Sequence, residues 1–171
     1  MSISETQAKI LLPFLKHTIE CLQSMADLRA KPGRPYTDDP DTFWLSDYAV
    51  VVKTSGVIEG TIVIHFYLET ALAIGNRVYN KMIGKMHEAL DVDDQVTQAL
   101  VEFGNTVVGR AMRDLENSDL AIIFEPPFFM SDMLVADNIT AGVQEILTAP
   151  IKLEDGNIFY FNYLINEVRE V

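Results

Sequence analysis

The chain has 171 residues, 49% of them hydrophobic, and a net charge of −12 at pH 7. That length and apolar content predict one domain with its own core and exclude a disordered chain. The charge excludes general nucleic-acid binding, which needs a basic footprint, and disfavours an anionic membrane surface.

At the N-terminus, Met1-Ser2-Ile3-Ser4-Glu5 has no basic segment ahead of an apolar signal core. No apolar run reaches the length of about 18 residues that a membrane span needs. A cytoplasmic protein is therefore expected, with no membrane partner. Ile10, Leu11, Phe14, Leu15, Thr18, Ile19, Leu22 and Met25 recur at three- and four-residue steps, which predicts an amphipathic helix over residues 5–25. Lys16, Glu20, Gln23 and Asp27 fall on its wet side. Pro13 must either open the regular part of this helix at its first turn or kink it there. Cys21 is the only cysteine, so neither an intrachain disulfide nor a Cys-rich metal site is available. It reads as a small, partly buried hydrophobe.

Residues 29–41 hold three prolines and a glycine among charges and read as a long surface loop. Two strands follow, over residues 48–54 and 57–67, joined by Ser55-Gly56. In the second, Ile58, Gly60, Ile62, Ile64 and Phe66 share one face, while Glu59, Thr61, Val63, His65 and Tyr67 share the other. That alternation predicts an antiparallel sheet with one packed face. A helix is expected from residue 69 or 70 to 83, with Thr70 as its cap and Gly84 as its stop. The acidic run at 91–94 offers several caps for the next helix, expected to continue to about residue 115. Residues 120–124 read as a short buried strand ended by Pro126-Pro127. Residues 131–148 read as a strand remnant or loop with a short helical turn near Val143. Residues 151–153 and 158–164 flank Glu154-Asp155-Gly156-Asn157, a hairpin signal. The order predicts an α+β fold, with long helices packed on an antiparallel sheet.

His17, His65 and His87 each stand apart from any second ligand at a metal spacing, so no metal site is expected. Trp44, Tyr48 and the cluster Phe159, Tyr160, Phe161, Tyr163 read as core and sheet-surface residues. The chemistry concentrates elsewhere. On a wheel at about 100° per residue, Val96, Ala99, Leu100, Phe103, Val107, Ala111 and Leu115 form one apolar stripe. Gln98, Glu102, Asn105 and Gly109 form a narrow polar stripe opposite. An ordinary wet helix face accounts for a Glu and an Asn. Against that, Asn is a poor helix former, and Gly104 and Gly109 each cost about 0.8–1 kcal/mol relative to Ala in a helix interior. Small residues beside a polar pair let another surface approach closely. Spacing alone leaves both readings open.

The run Leu100-Val101-Glu102-Phe103-Gly104-Asn105-Thr106-Val107-Val108-Gly109 resembles the Glu-x-x-Asn helix of the CheC and CheX chemotaxis phosphatases. Pro13-Phe14-Leu15 with Cys21-Leu22-Gln23-Ser24-Met25 resembles that family's first helix. The hairpin around Gly56 and Gly60, and then Glu125-Pro126-Pro127, follow in the family's order. The resemblance implies a single CheX-like domain over residues 1–171 that dephosphorylates the phospho-aspartate of a response-regulator receiver domain. It implies that Asn105 orients the attacking water and that Glu102 docks by pairing with a receiver lysine. No cofactor is expected on this chain, the Mg²⁺ being held by the receiver. A homodimer is expected by the same analogy. The chemistry is coherent, because an acyl phosphate is already reactive and needs mainly an oriented water, which a carboxamide can hold as donor and acceptor. Gln98 departs from the acidic or serine residue that often precedes the family's Glu by four positions. The preceding helix carries Ala73 and Asn76 at the corresponding spacing, so a second site is not expected. Two rivals stay open: a non-catalytic CheX-like module that binds a receiver or another signalling protein, and a structural subunit that uses its sheet edge.

Overall fold

A computed structural model of the chain describes residues 2–131 and 138–169. In chain order they form α1 (Glu5–Ala26), β1 (Ala30–Pro32), β2 (Tyr36–Asp38), β3 (Tyr48–Gly56), β4 (Ile58–Phe66), α2 (Leu68–Ile83), α3 (Asp94–Glu116), β5 (Ile122–Phe124), β6 (Phe128–Met130), β7 (Glu145–Leu153) and β8 (Ile158–Val168). The sheet runs β1-β7-β8-β4-β3-β5, with β2 also paired to β7 and β6 to β3. Every pairing is antiparallel. The helices cover one face, and the main core lies between the layers: Phe14 and Leu22 from α1, Ile74 from α2, Phe103 and Val107 from α3, and Ile62, Ile64, Phe161 and Tyr163 from the sheet. This is the α+β fold expected. No described helix is long and apolar enough to cross a membrane.

Local chemistry sets the helix ends. Ser4 and Gln7 form a reciprocal capping box that starts α1 well before Pro13. Pro13 therefore lies inside the helix and does not open it. Asp93 caps α3, its Oδ1 accepting from the Val96 N–H at 2.9 Å. Partial burial opposes the charge on Asp93, yet that N–H and the His87 ring hold its carboxyl below the usual range. Gly84 ends α2 in the left-handed region at φ 72°. Thr70 is not the α2 cap. Tyr67 occupies that position without a side-chain bond, while Thr70 is buried in the first turn and donates to the Ile158 carbonyl at 3.4 Å.

Four expectations are corrected by tertiary pairing. Residues 29–41 do not form a free loop, because β1 and β2 both lie along β7, and the Gly33 N–H donates to the Pro150 carbonyl at 2.7 Å. β5 is an edge strand and not a buried one: Ile122 points inward, while Ile123 is 65% exposed. After Pro126-Pro127 the chain re-enters the sheet as β6. The helical turn near Val143 is absent, since turns at 138–142 lead directly into β7, which pairs with β8 along its length; residues 132–137 lie outside the described ones.

The fourth correction concerns the side of β4 read as wet. Leu45, Ala49, Val51, Val63, Met130, Ile146 and Leu164 form a second, smaller core there. His65 is buried within this layer. The Ser46 N–H lies 2.9 Å and the Ser46 Oγ 2.8 Å from His65 Nδ1. Tyr160 stacks on the ring with centroids 5.2 Å apart. The sheet thus packs on both faces, and Phe43 and Leu45, from the segment between β2 and β3, supply part of the cover.

Candidate functional site

α3 is held by contacts that only small residues permit. A Cβ on Gly104 would stand 2.6 Å from Val50 Cγ1 on β3. A Cβ on Gly75 of α2 would stand 2.6 Å from Val96 Cγ1 on α3. Neither position has room for a methyl group, so α3 sits close to both the sheet and its neighbouring helix. Gly104 therefore is not one of the small residues open to another surface, as its place beside the polar pair in the sequence suggested. It is buried, and close packing offsets its helix cost.

The opposite side of α3 presents Glu102 to solvent, with Asn105 and Gly109 half-buried beside it and Gln98 exposed one turn earlier. Glu102 and Asn105 are brought together as the spacing predicts. No hydrogen bond or ion pair among the described residues engages either side chain. Their surroundings are otherwise well satisfied. The Thr106 Oγ1 donates to the Glu102 carbonyl at 2.8 Å, and Phe124 on β5 borders the stripe, its Cζ 3.8 Å from where a Gly109 Cβ would stand. Nothing internal requires Gly109 to lack a side chain. The stripe also continues past Gly109 to the exposed Arg113, four residues on. The same four-residue step that links Gln98 to Glu102 would have found it in the sequence.

Other polar clusters serve structure. His17 joins α1 to α3, with Nε2 2.8 Å from Asp114 Oδ2 and Nδ1 3.0 Å from Glu20 Oε2. The hydrogen bond from His17, backed by Lys16, holds the Asp114 carboxyl below its usual range. His87 pairs with Asp93 at 2.8 Å. Cys21 is fully buried, and burial pushes its thiol up, away from the reactive thiolate. No group of three or more His, Cys, Asp or Glu among the described residues is arranged to hold a metal.

An antiparallel sheet carrying three helices is the architecture of the CheC- and CheX-like chemotaxis proteins. Residues 48–147, more than half of the chain, match the family described as chemotaxis phosphatase CheX, and the chain belongs to that family. Among solved structures, it is similar to a chain of the CheX–CheY–BeF3–Mg²⁺ complex from Borrelia burgdorferi, at 27% identity and TM-score 0.71, covering 92% of this chain and 98% of that one. Chemotaxis protein CheX from Vibrio vulnificus shares 22% identity at TM-score 0.73, over 92% of this chain and 99% of that one. A chemotaxis protein CheX from Desulfovibrio desulfuricans shares 20% identity at TM-score 0.71, over 91% and 98%. No curated protein matches.

Proposed function

We propose that this chain hydrolyses the aspartyl phosphate of a response-regulator receiver domain. The observation that carries the reading is the free Glu102–Asn105 pair on the outward stripe of α3, next to a glycine that packing does not demand. The family is one of chemotaxis phosphatases, and the Borrelia burgdorferi relative is in complex with CheY, BeF3 and Mg²⁺. Both support a receiver as partner.

In this reading α3 lays its stripe against the receiver's phosphorylation site, and Gly109 lets the two backbones approach. Glu102 pairs with a basic side chain of the receiver and sets the register. The Asn105 carboxamide holds a water, accepting a hydrogen bond from it through Oδ1 or donating one to its oxygen through Nδ2. The water oxygen then forms a bond to phosphorus as the aspartyl O–P bond breaks, releasing a carboxylate and inorganic phosphate. Positioning is most of the service, because the acyl phosphate is already activated and the charge of the transferring group is met by the Mg²⁺ expected on the receiver. The reading takes residues 1–171 as one CheX-like domain and includes a homodimer, to be checked by light scattering in solution.

The test follows phosphate loss from phosphorylated receivers with and without the protein. Wild type is expected to accelerate it, and Asn105→Ala to lose at least about tenfold of that acceleration while melting like wild type, since a positioning group commonly contributes on that scale. Undiminished hydrolysis by Asn105→Ala overturns the mechanism. The exposed Gln98, standing four residues before Glu102, favours a second reading: a module that binds the receiver without chemistry. Saturable binding with no acceleration by wild type would establish that one instead.

A further inference from the structure

We infer that Arg113 is a docking residue that selects the partner, pairing with an acidic side chain of the receiver beside its phosphorylation site. The inference rests on the functional reading above.

The familiar explanation of a cation at this place is the helix dipole, because Arg113 lies in the last turn of α3. That explanation leaves the side chain's placement on the stripe unaccounted for. The last carbonyls of α3 lie ahead of it, yet its Nε points back to the Gly109 carbonyl at 3.4 Å. That carbonyl belongs to the helix interior, and the bond is long. Helical side chains lean toward the N-terminus, and the missing side chain at Gly109 clears the path. The Arg113 Nε is thereby held on the stripe beside Gly109. No other hydrogen bond and no ion pair among the described residues engages it, so its terminal nitrogens are free for a bidentate partner. The neighbouring Lys16, by contrast, is already paired with Asp114 at 3.4 Å.

Charge gives this free cation a purpose. A chain of net charge −12 repels an acidic surface at long range. Any approach to a phosphorylated carboxylate needs a local positive group at the point of contact. Arg110, the other cation of α3, is half-buried off the stripe and acts on Cys21 of α1. On the stripe itself stands one charge of each sign, Glu102 and Arg113, about 16 Å apart along the axis. Asn105 and the bare Gly109 lie between them. A stripe built this way is polar end to end, so a partner with a basic group facing Glu102 and an acidic group facing Arg113 can dock in one direction only. In that direction Asn105 lies over the reacting group. Receivers that lack the acidic side chain are disfavoured, which makes Arg113 a determinant of specificity.

Two readouts test this: steady-state dephosphorylation, and titration of a Mg²⁺- and beryllofluoride-loaded receiver. Arg113→Glu is expected to raise KM and Kd about tenfold or more, since reversing one well-placed charge costs on that scale. The value of kcat should stay within about twofold, because the guanidinium does not act on the reacting atoms. Arg113→Lys should recover most of the affinity. Raising ionic strength should weaken wild type more steeply than Arg113→Glu. Unchanged KM and Kd in Arg113→Glu overturn the inference, as does a fall in kcat at constant KM, which would assign Arg113 to the transition state. Binding without hydrolysis by wild type removes the phosphatase reading, while Arg113 is still judged by Kd. A wild type that neither binds nor accelerates any receiver overturns both.

Discussion

Two polar constellations stand on opposite sides of the sheet, and by residue type alone the wrong one looks like chemistry. On the far face, Ser46 and His65 lie 2.8 Å apart, a distance suited to a nucleophile and its base. On the helical face, Glu102 and Asn105 are a common surface pairing. The structure reverses the ranking. His65 is 2% exposed, and its Nδ1 receives the backbone as well as the hydroxyl of Ser46. Burial pulls its pKa down to about 4, against a smaller opposite effect of Asn162. A ring so weakly basic and so enclosed ties the segment before β3 to the sheet. Glu102 is exposed and Asn105 half-buried, and no hydrogen bond or ion pair among the described residues engages either side chain. Polar groups that have found partners inside the chain hold it together, and those left without partners on an ordered helix are available to another molecule.

The largest expected effect would break this contrast if His65 were functional. Its pKa lies at about 4 in the folded chain and near 6.5 in an unfolded one. Folding therefore favours the neutral ring. That contribution is whole above pH 6.5, is lost progressively as pH falls toward 4, and is gone below it. A shift of this size corresponds to about 3 kcal/mol. Urea denaturation at pH 7 and pH 4.5 should show the loss in wild type and a flatter profile in His65→Gln. Parallel profiles would mean that other groups govern acid stability.

A smaller effect separates structure from catalysis at the same place. Ser46→Ala removes the Oγ contact and keeps the backbone N–H on His65 Nδ1. We expect a stability loss of about 1 kcal/mol in denaturant melts, with receiver dephosphorylation within about twofold of wild type. A large loss of turnover without loss of stability would move the chemical site to the far face.

The same contrast explains what could be read from the chain. Period-3.6 and period-2 patterns mark the long helices and the hairpin of β3 and β4, whereas of the second hairpin the turn, residues 151–153 and β8 were legible and most of β7 was not. The Glu102–Asn105 pair was legible from periodicity too, since a helix wheel reports which residues share a side. What escaped depends on long-range pairing. Pro32 and Pro35 look like breakers, yet the edge of a sheet tolerates them, and β7 supplies β1 and β2 with partners. Val63 and His65 look wet on alternation alone, and Phe43 and Leu45, together with Ile139 and Val143 ahead of β7, fold over that face and make it core. Gly104 and Gly109 carry the same helix cost in the sequence, and the difference between them is a neighbour, Val50, that lies 54 residues earlier.

Those two glycines provide the smallest and most discriminating test. Gly104→Ala forces a methyl against Val50, whose branched side chain has little freedom to move, so the gain in helix propensity is offset by overpacking. Gly109→Ala meets only the tip of Phe124 at an ordinary contact distance. It should stabilise α3 by roughly 0.5–1 kcal/mol, the usual return for replacing a helical glycine. If the stripe were only a wet helix face, such a variant would be an improved protein with unaltered behaviour. If the stripe receives a partner, the added methyl stands between Asn105 and Arg113, where the two backbones approach. Gly109→Ala should then melt higher and yet bind and dephosphorylate the receiver less well. A rise in stability together with full activity would show that the partner does not come that close, and would leave Glu102 and Asn105 without the surface that singles them out.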